Sequence, residues 1–298
     1  MRLTPTNAIL LATPPLLWAG NAVVGRLVVD LVPPMMLNFL RWAVAFVLLL
    51  PLAPWVLRPG SPIWSGWRHY ALLGLLGVGC YNSLQYLALH TSTPMNVVLV
   101  ASTLPLWMLV LGRAFFGATI NRAQLAGMGL SIAGVLVVLT GGEWRQLVHW
   151  RLVPGDVLML IATILWAWYS WLLLPRPDDP PRLRADWAAL LLAQVTYGVG
   201  WSGLFAAGEW AWGAAPVRWG WPLAATLAFV AIGPAIVAYR CWGLGVQRGG
   251  PALAGVFYNL APVFAAILSA LFLGEWPHPF HGAAFALIAL GIWASSRR

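Results

Sequence analysis

Charge is scarce in this chain of 298 residues. Only 8% of positions are Asp, Glu, Lys or Arg, where an ordinary soluble domain carries about a quarter. Lysine is absent: all 17 basic residues are arginine, set against 8 acids for a formal net charge of +9. Cysteine is nearly absent as well. Cys80 and Cys241 both lie in apolar stretches with no His or Cys at ligand spacing, which excludes a disulfide framework and a zinc site. What the chain has instead is apolar surface. Hydrophobic residues make up 61% and the mean hydropathy is +0.79, more than one or two soluble cores can hide. A soluble enzyme, a disordered chain and a soluble nucleic-acid binder are excluded on composition. The arginines are scattered between apolar segments, so the positive charge reads as membrane topology and not as a nucleic-acid patch. No cofactor is implied, and the remaining partners are the lipid bilayer and a small molecule.

A hydrocarbon core about 30 Å thick takes about 20 helical residues. That ruler predicts ten segments, near 8–29, 34–56, 69–90, 94–115, 122–141, 154–174, 186–208, 222–246, 250–273 and 279–296. Turn chemistry separates them: Pro33-Pro34, Arg58-Pro59-Gly60-Ser61-Pro62, Gly141-Gly142-Glu143, Pro175 to Pro181, and Gly249-Gly250-Pro251. The first segment is too long for a signal peptide and has a counterpart in the second half. With the N-terminus in the cytoplasm, twelve arginines fall at cytoplasmic ends. Only Arg26, Arg145, Arg151 and Arg218 fall at outer ends, and Arg41 lies inside a helix. The bias predicts both termini inside.

The chain also repeats itself. Leu17-Trp18-Ala19 recurs as Leu165-Trp166-Ala167, 148 residues on. At an offset of 157, Pro94 pairs with Pro251, Pro105 with Pro262, Phe115 with Phe272, Gly117 with Gly274 and Gly134 with Gly291. Five helices per unit is an odd number, so the second unit enters the membrane from the opposite side. The expectation is an all-α polytopic membrane protein whose ten transmembrane helices form two inverted five-helix repeats, residues 1–150 and 151–298.

These residues are similar to the drug/metabolite transporter superfamily, in its EamA branch. The resemblance rests on Trp18 with Asn21, on Asn38-Phe39-Leu40-Arg41, on Leu87-Ala88-Leu89, on Pro105, and on Pro262 followed by Leu273-Gly274-Glu275-Trp276-Pro277. Within the branch the chain resembles bacterial aromatic-amino-acid exporters. The resemblance implies a bacterial inner-membrane transporter that exports amino acids and related metabolites by alternating access. It also implies a cavity lined by the first four helices of each unit, with the fifth peripheral. One departure stands out. Small multidrug members carry a glutamate within the first helix, whereas this chain reads Trp18-Ala19-Gly20-Asn21 there. All eight acids fall at segment ends or in loops, so no carboxylate is expected to be buried and transport is expected to be uncoupled. A proton-coupled drug or metabolite exporter is the alternative.

Polar and aromatic residues at mid-membrane mark such a site, because they are costly in lipid without partners or water. Segment one offers Pro14, Trp18 and Asn21 at helical spacing; segment two, Asn38 and Arg41; segment three, Tyr81, Asn82, Gln85 and Tyr86; segment four, Asn96, Ser102 and Thr103. The second half offers Thr163, Trp166, Tyr169, Tyr239, Trp242, Tyr258 and Asn259. Each Asn or Ser is equally readable as glue between helices. Trp18, Trp166 and Trp242 read either as core or as an aromatic wall for flat or cationic substrates. Tryptophans near helix ends, such as Trp55, Trp64, Trp144, Trp150, Trp187, Trp212 and Trp276, read as interfacial anchors. Arg41 either hydrogen-bonds carbonyls freed by a proline or docks a substrate carboxylate. Pro105 and Pro262, read as mid-helix, each remove a backbone bond and are candidate hinges. A remote enzymatic alternative is a rhomboid-like intramembrane protease, from Gly200-Trp201-Ser202-Gly203 with His281 as base.

Overall fold

The computed structural model describes residues 4–26, 28, 30–88, 90–92, 94–143, 145, 153–213, 215–273 and 278–297. Among them every regular element is helical. Proline opens several of these helices. It presets the first-turn φ and lacks an N–H that would have no partner there. Such prolines begin α2 (Pro34–Leu49), α6 (Pro154–Leu172) and α10 (Pro279–Ser296). α1 spans Pro5–Arg26. α3 runs without a break through Trp67–Leu73, a π-helical stretch Gly74–Cys80, and Tyr81–Ala88. α4 has two halves, Pro94–Ala101 and Leu104–Phe115. α5 (Arg122–Leu139) starts on a capping box in which Asn121 and Gln124 exchange side-chain and backbone bonds of 2.7 and 3.1 Å. α7 is Trp187–Ala211. α8 runs through Trp221–Val230, a second π-helical stretch Ala231–Val237, and Ala238–Gly249. α9 is again two halves, Pro251–Tyr258 and Ala261–Leu273.

Seven stretches among the described residues are long and apolar enough to cross a bilayer: Val97–Phe115, Arg122–Leu139, Pro154–Leu172, Trp187–Ala211, Trp221–Gly249, Pro251–Leu268 and Pro279–Ser296. α2 is apolar but short. Its predicted span reached residue 56. The helix instead stops at Leu49, because Pro51 and Pro54 cannot continue its hydrogen-bond ladder and Pro54–Leu57 turns as a 3-10 helix. The irregularities recur. The π-helical stretches begin at 74 and 231, and the broken turns of α4 and α9 sit at 102–103 and 259–260, so each recurs 157 residues later.

α5 and α10 pack on each other along their length, beside α9. α2 packs on α7, α1 on α8 and α9, α3 on α6 and α7, and α4 on α6 and α9. Small residues permit the closest crossings. A side chain at Gly74 would stand 2.6 Å from the Gln194 carbonyl oxygen and 2.7 Å from the Gly198 nitrogen. At one end, the Glu209 carboxylate of α7 accepts the Met35 and Met36 N–H groups of α2, both at 3.0 Å. Those are donors that the first helical turn leaves free.

The segment joining α6 to α7 is tied by charge. Asp179 pairs with Arg176 at 2.8 Å and Arg184 at 3.2 Å, and Arg184 donates to the Leu173 carbonyl that ends α6, at 2.8 Å. Partial burial alone would raise the Asp179 carboxyl, but the Arg176 hydrogen bonds and the Arg184 charge more than offset it and hold it below the usual carboxylate range. The expectation that no carboxylate is buried fails at Asp156. It is 1% exposed, in the first turn of α6, where it accepts the Val153 N–H at 3.0 Å and the Ser92 hydroxyl. The N-terminus of α6 supplies the first donor and the α3–α4 connection the second, which is why an acid can be enclosed there.

Two outcomes check this fold. Gly74→Val forces a side chain into the backbone of α7 and should destabilise the protein by about 1–3 kcal/mol, read as a lower melting temperature in detergent; an unchanged melt would mean that α3 and α7 do not touch. For Asp179 the sign follows from its depressed carboxyl. The stabilisation is complete above the ordinary carboxylate range and disappears as pH falls through the lowered value. Acidification from about pH 7 to about pH 3 should therefore lower the melting temperature of the wild type more than that of Asp179→Asn, whereas parallel curves would remove Asp179 from the tie.

Candidate functional site

Aromatic side chains from both halves of the chain meet between α1, α3, α6, α8 and α9. Trp18 stands edge-on to Trp166, with ring centres 5.3 Å apart and planes at 85°. It also touches Trp242 at 5.5 Å and Tyr258 at 5.9 Å. Trp166 in turn meets Tyr81 and Tyr169, both at 4.9 Å, and Tyr239 at 5.4 Å. Trp42 closes the group by standing 4.8 Å from Tyr239, edge to face at 82°. Edge-to-face and tilted pairs of this kind contribute about 0.5–1.5 kcal/mol each beyond their burial.

Most polar tips in the cluster are engaged. The Trp18 indole donates to the Pro234 carbonyl at 3.2 Å, and the Tyr239 hydroxyl donates to the Gly77 carbonyl. Both acceptors lie in the π-helical stretches, where the i→i+5 pattern displaces carbonyls from the α-helical ladder. Trp242 donates to Ser170 Oγ at 3.0 Å, Tyr169 donates to Gln194 Oε1 at 2.9 Å, and the Tyr81 and Tyr258 hydroxyls lie 2.5 Å apart. On α2, Asn38 is fully buried and its amide donates to the Val78 carbonyl at 3.1 Å. Arg41 is 2% exposed, with its guanidinium carbon 5.1 Å from the centre of the Trp42 ring. Among the described residues it makes no ion pair and no hydrogen bond, so of its two readings the bonding of proline-freed carbonyls is not seen.

Other predicted residues lie outside the cluster. Asn82 is buried, whereas Asn21, Gln85 and Tyr86 are half-buried on its margins. Ser102 and Thr163 donate to carbonyls of their own helices, Leu99 and Met159, at 2.7 and 2.8 Å. Asn259 ties helices together: its amide donates to Ser131 Oγ of α5 at 2.9 Å and to the Ser102 carbonyl at 3.3 Å. Pro105 and Pro262 are not mid-helix. α4 and α9 are broken just before them, and each proline sits in the first turn of a second half, where its missing N–H removes no bond. The side chain of Asn96 and residues Trp144, Trp150 and Gly274 to Pro277 lie outside the described residues.

Sequence reasoning missed Trp42, Gln194, Ser170 and the carbonyl acceptors Gly77, Val78 and Pro234. The pairing of Trp42 with Arg41 on one buried helix was the available signal. Among the end tryptophans, Trp212 is 90% exposed, and Trp55 and Trp187 lie under Arg182 and Arg240 at 4.2 and 4.3 Å. A cleft of about 410 Å³ opens away from the rings, between the α4–α5 turn, the α8–α9 turn and the end of α10.

The protease reading fails on geometry. Ser202 is buried and donates to the Val199 carbonyl of its own helix, while His281 lies at the start of α10 against Phe280.

The EamA-like transporter family matches residues 6–140 and again 153–297. The chain belongs to this family. It is a multi-pass membrane transporter and not an enzyme. An uncharacterized transporter of Archaeoglobus fulgidus is 28% identical over 97% of both chains. The uncharacterized inner membrane transporter YedA of Escherichia coli is 27% identical over 87% of this chain and 80% of its own. The aromatic amino acid exporter YddG of Ancylobacter novellus is 30% identical over 72% of this chain and 68% of its own. A solved structure shares the fold with a TM-score of 0.75 at 22% identity, over 98% of this chain and 96% of the other.

Tyr239→Phe keeps the ring of this transporter's cluster and removes the hydroxyl's bond to the Gly77 carbonyl. It should cost about 1 kcal/mol, measured as a lower melting temperature in detergent; an unaltered melt would show that the hydroxyl does not hold α3.

Proposed function

We propose that the protein exports amino acids, aromatic ones among them, and related metabolites across a bacterial inner membrane by alternating access, with the aromatic cluster as the substrate site. Ten helices span the bilayer as two inverted units, residues 1–150 and 151–298, with both termini cytoplasmic. The observation that carries this reading is the pairing of helices. Exchanging α1–α5 for α6–α10 maps the principal contacts onto one another: α1 on α8 becomes α6 on α3, α1 on α9 becomes α6 on α4, α3 on α7 becomes α8 on α2, and α2–α7, α4–α9 and α5–α10 map onto themselves. Two family matches of similar length and the recurrence of both π-helical stretches support the same duplication. Inverted repeats with a site at their interface are the architecture of alternating access.

The substrate contacts are Trp18, Asn21, Asn38, Arg41, Tyr81, Asn82, Gln85, Ser102, Trp166, Tyr169, Tyr239, Trp242, Tyr258 and Asn259, with Trp18, Trp166 and Trp242 stacking a flat side chain. Pro105 and Pro262 are the hinges, flexing at the broken turns beside them. Amino acids are favoured because two relatives are named as exporters of amino acids, YddG and a probable terminal-alkyne amino-acid exporter of Streptantibioticus cattleyicolor. Transport is uncoupled on this reading, because the enclosed acid Asp156 serves as a cap at the start of α6, accepting the Val153 N–H and the Ser92 hydroxyl. Purified protein in liposomes should take up labelled phenylalanine or tryptophan down a gradient, at a rate unchanged when a pH gradient is imposed or collapsed. Uptake that requires a pH gradient would overturn the uncoupled mechanism, and no uptake of any amino acid would overturn the substrate class.

A further inference from the structure

We infer that Asn38, Arg41, Trp42 and Trp166 form a receptor for the charged head of an α-amino acid, with the substrate's carboxylate on Arg41 and the two indoles and its ammonium on Asn38 Oδ1. This rests on the amino-acid export reading above. Buried polar atoms are nearly always paired, yet four on α2 and α6 are not: Asn38 Oδ1, Arg41 Nε, Trp42 Nε1 and Trp166 Nε1; Asn38 bonds Val78, the neighbour of the Gly77 that accepts Tyr239. Trp42 and Trp166 both touch the Tyr239 ring, and Arg41 lies against Trp42. Every other polar tip of the cluster has a partner: Trp18 on Pro234, Trp242 on Ser170, Tyr169 on Gln194, and Tyr81 on Tyr258.

The orphans are three donors, one of them cationic, and one acceptor. An unpaired arginine in a membrane helix costs several kcal/mol, so the group asks for an anion. A carboxylate has two oxygens and about four acceptor sites, enough for the guanidinium and both indoles. The Asn38 amide is oriented by its bond to the Val78 carbonyl, which leaves its oxygen as the acceptor for an ammonium. The ring faces nearby add cation–π attraction for the same group. A zwitterion answers all four atoms. An amine leaves the donors unpaired, and a simple carboxylic acid leaves Asn38 Oδ1 unpaired.

Uptake of tryptophan, tryptamine and indole-3-propionate into proteoliposomes tests this in the wild type, Arg41→Gln and Arg41→Lys. The wild type should move tryptophan at least about tenfold faster than the other two. Arg41→Gln should lose about tenfold on tryptophan and leave tryptamine unchanged, and Arg41→Lys should recover part of the loss. Equal losses on both compounds, or normal tryptophan uptake by folded Arg41→Gln, would overturn the receptor. If Arg41→Gln does not fold, Trp42→Phe and Trp166→Phe keep the rings and drop one donor each; selective weakening of tryptophan uptake supports the receptor and unchanged selectivity refutes it. If the wild type moves no amino acid, the export reading fails by itself. The anion site is then read from melting in detergent, where indole-3-propionate should stabilise the wild type but not Arg41→Gln, and no stabilisation refutes it.

Discussion

Hydrocarbon has no water to offer a peptide group, so every backbone N–H and C=O at membrane depth must find its partner inside the protein. A regular α-helix meets that demand by itself. Among the described residues the helices are interrupted at the π-helical stretches of α3 and α8 and at the broken turns of α4 and α9, and a side chain comes to each of the first three. Tyr239 and Asn38 donate to Gly77 and Val78, Trp18 to Pro234, and Asn259 to Ser102. Each such bond contributes about 1 kcal/mol or less in a membrane interior. Leaving the carbonyl alone would cost several. The polar groups near the middle of this protein are thus first of all the means by which irregular helices survive in lipid.

The same bonds fasten the two halves of the chain. Trp18 reaches from α1 to α8, Tyr239 from α8 to α3, and Asn259 from α9 to α4. Between these points the helices cross at small residues, as where α3 passes Gly198 of α7. At one end Glu209 of α7 holds the first turn of α2 through two N–H groups. An acid at a helix N-terminus contributes about 0.3–1 kcal/mol there. None of these fastenings is large. They add to one buried apolar cluster that takes side chains from both halves, Trp42 and Leu104 together with Trp166 and Trp242 among them.

The helices were legible in the sequence because lipid thickness fixes their length and apolar runs mark it. The predicted span of α2 overruns because apolar residues continue past Leu49, while Pro51 and Pro54 stop the helix. The breaks of α4 and α9 were misread for a related reason. A proline in an apolar run looks like a kink, yet Pro105 and Pro262 each follow a break and open a new half-helix. Trp18, Trp166, Tyr239, Trp242 and Tyr258 were legible as aromatic residues at helical spacing. Trp42 was not singled out, since its depth is set by how α2 rotates against α7 and α8. Gly77, Val78 and Pro234 act through their carbonyls, and a carbonyl has no signature in a sequence. Asp156 stood at a segment end in the sequence, and only the packing of α6 on α3 encloses it.

The rings of the cluster pack on one another, and a cleft opens away from them beside Asn121, Gly250 and Arg297. Anything entering the cluster therefore exchanges ring–ring contacts for ring–ligand contacts. The two are of similar size: about 0.5–1.5 kcal/mol for an edge-to-face pair, and about 0.5–2 kcal/mol for a cation over a ring. Such an exchange gains little net free energy from any one side chain, which yields weak binding and broad selection. On the proposal that substrate binds here, weak holding lets it leave on the far side, and discrimination comes from groups whose needs the rings do not meet, the orphaned donors on α2 and α6.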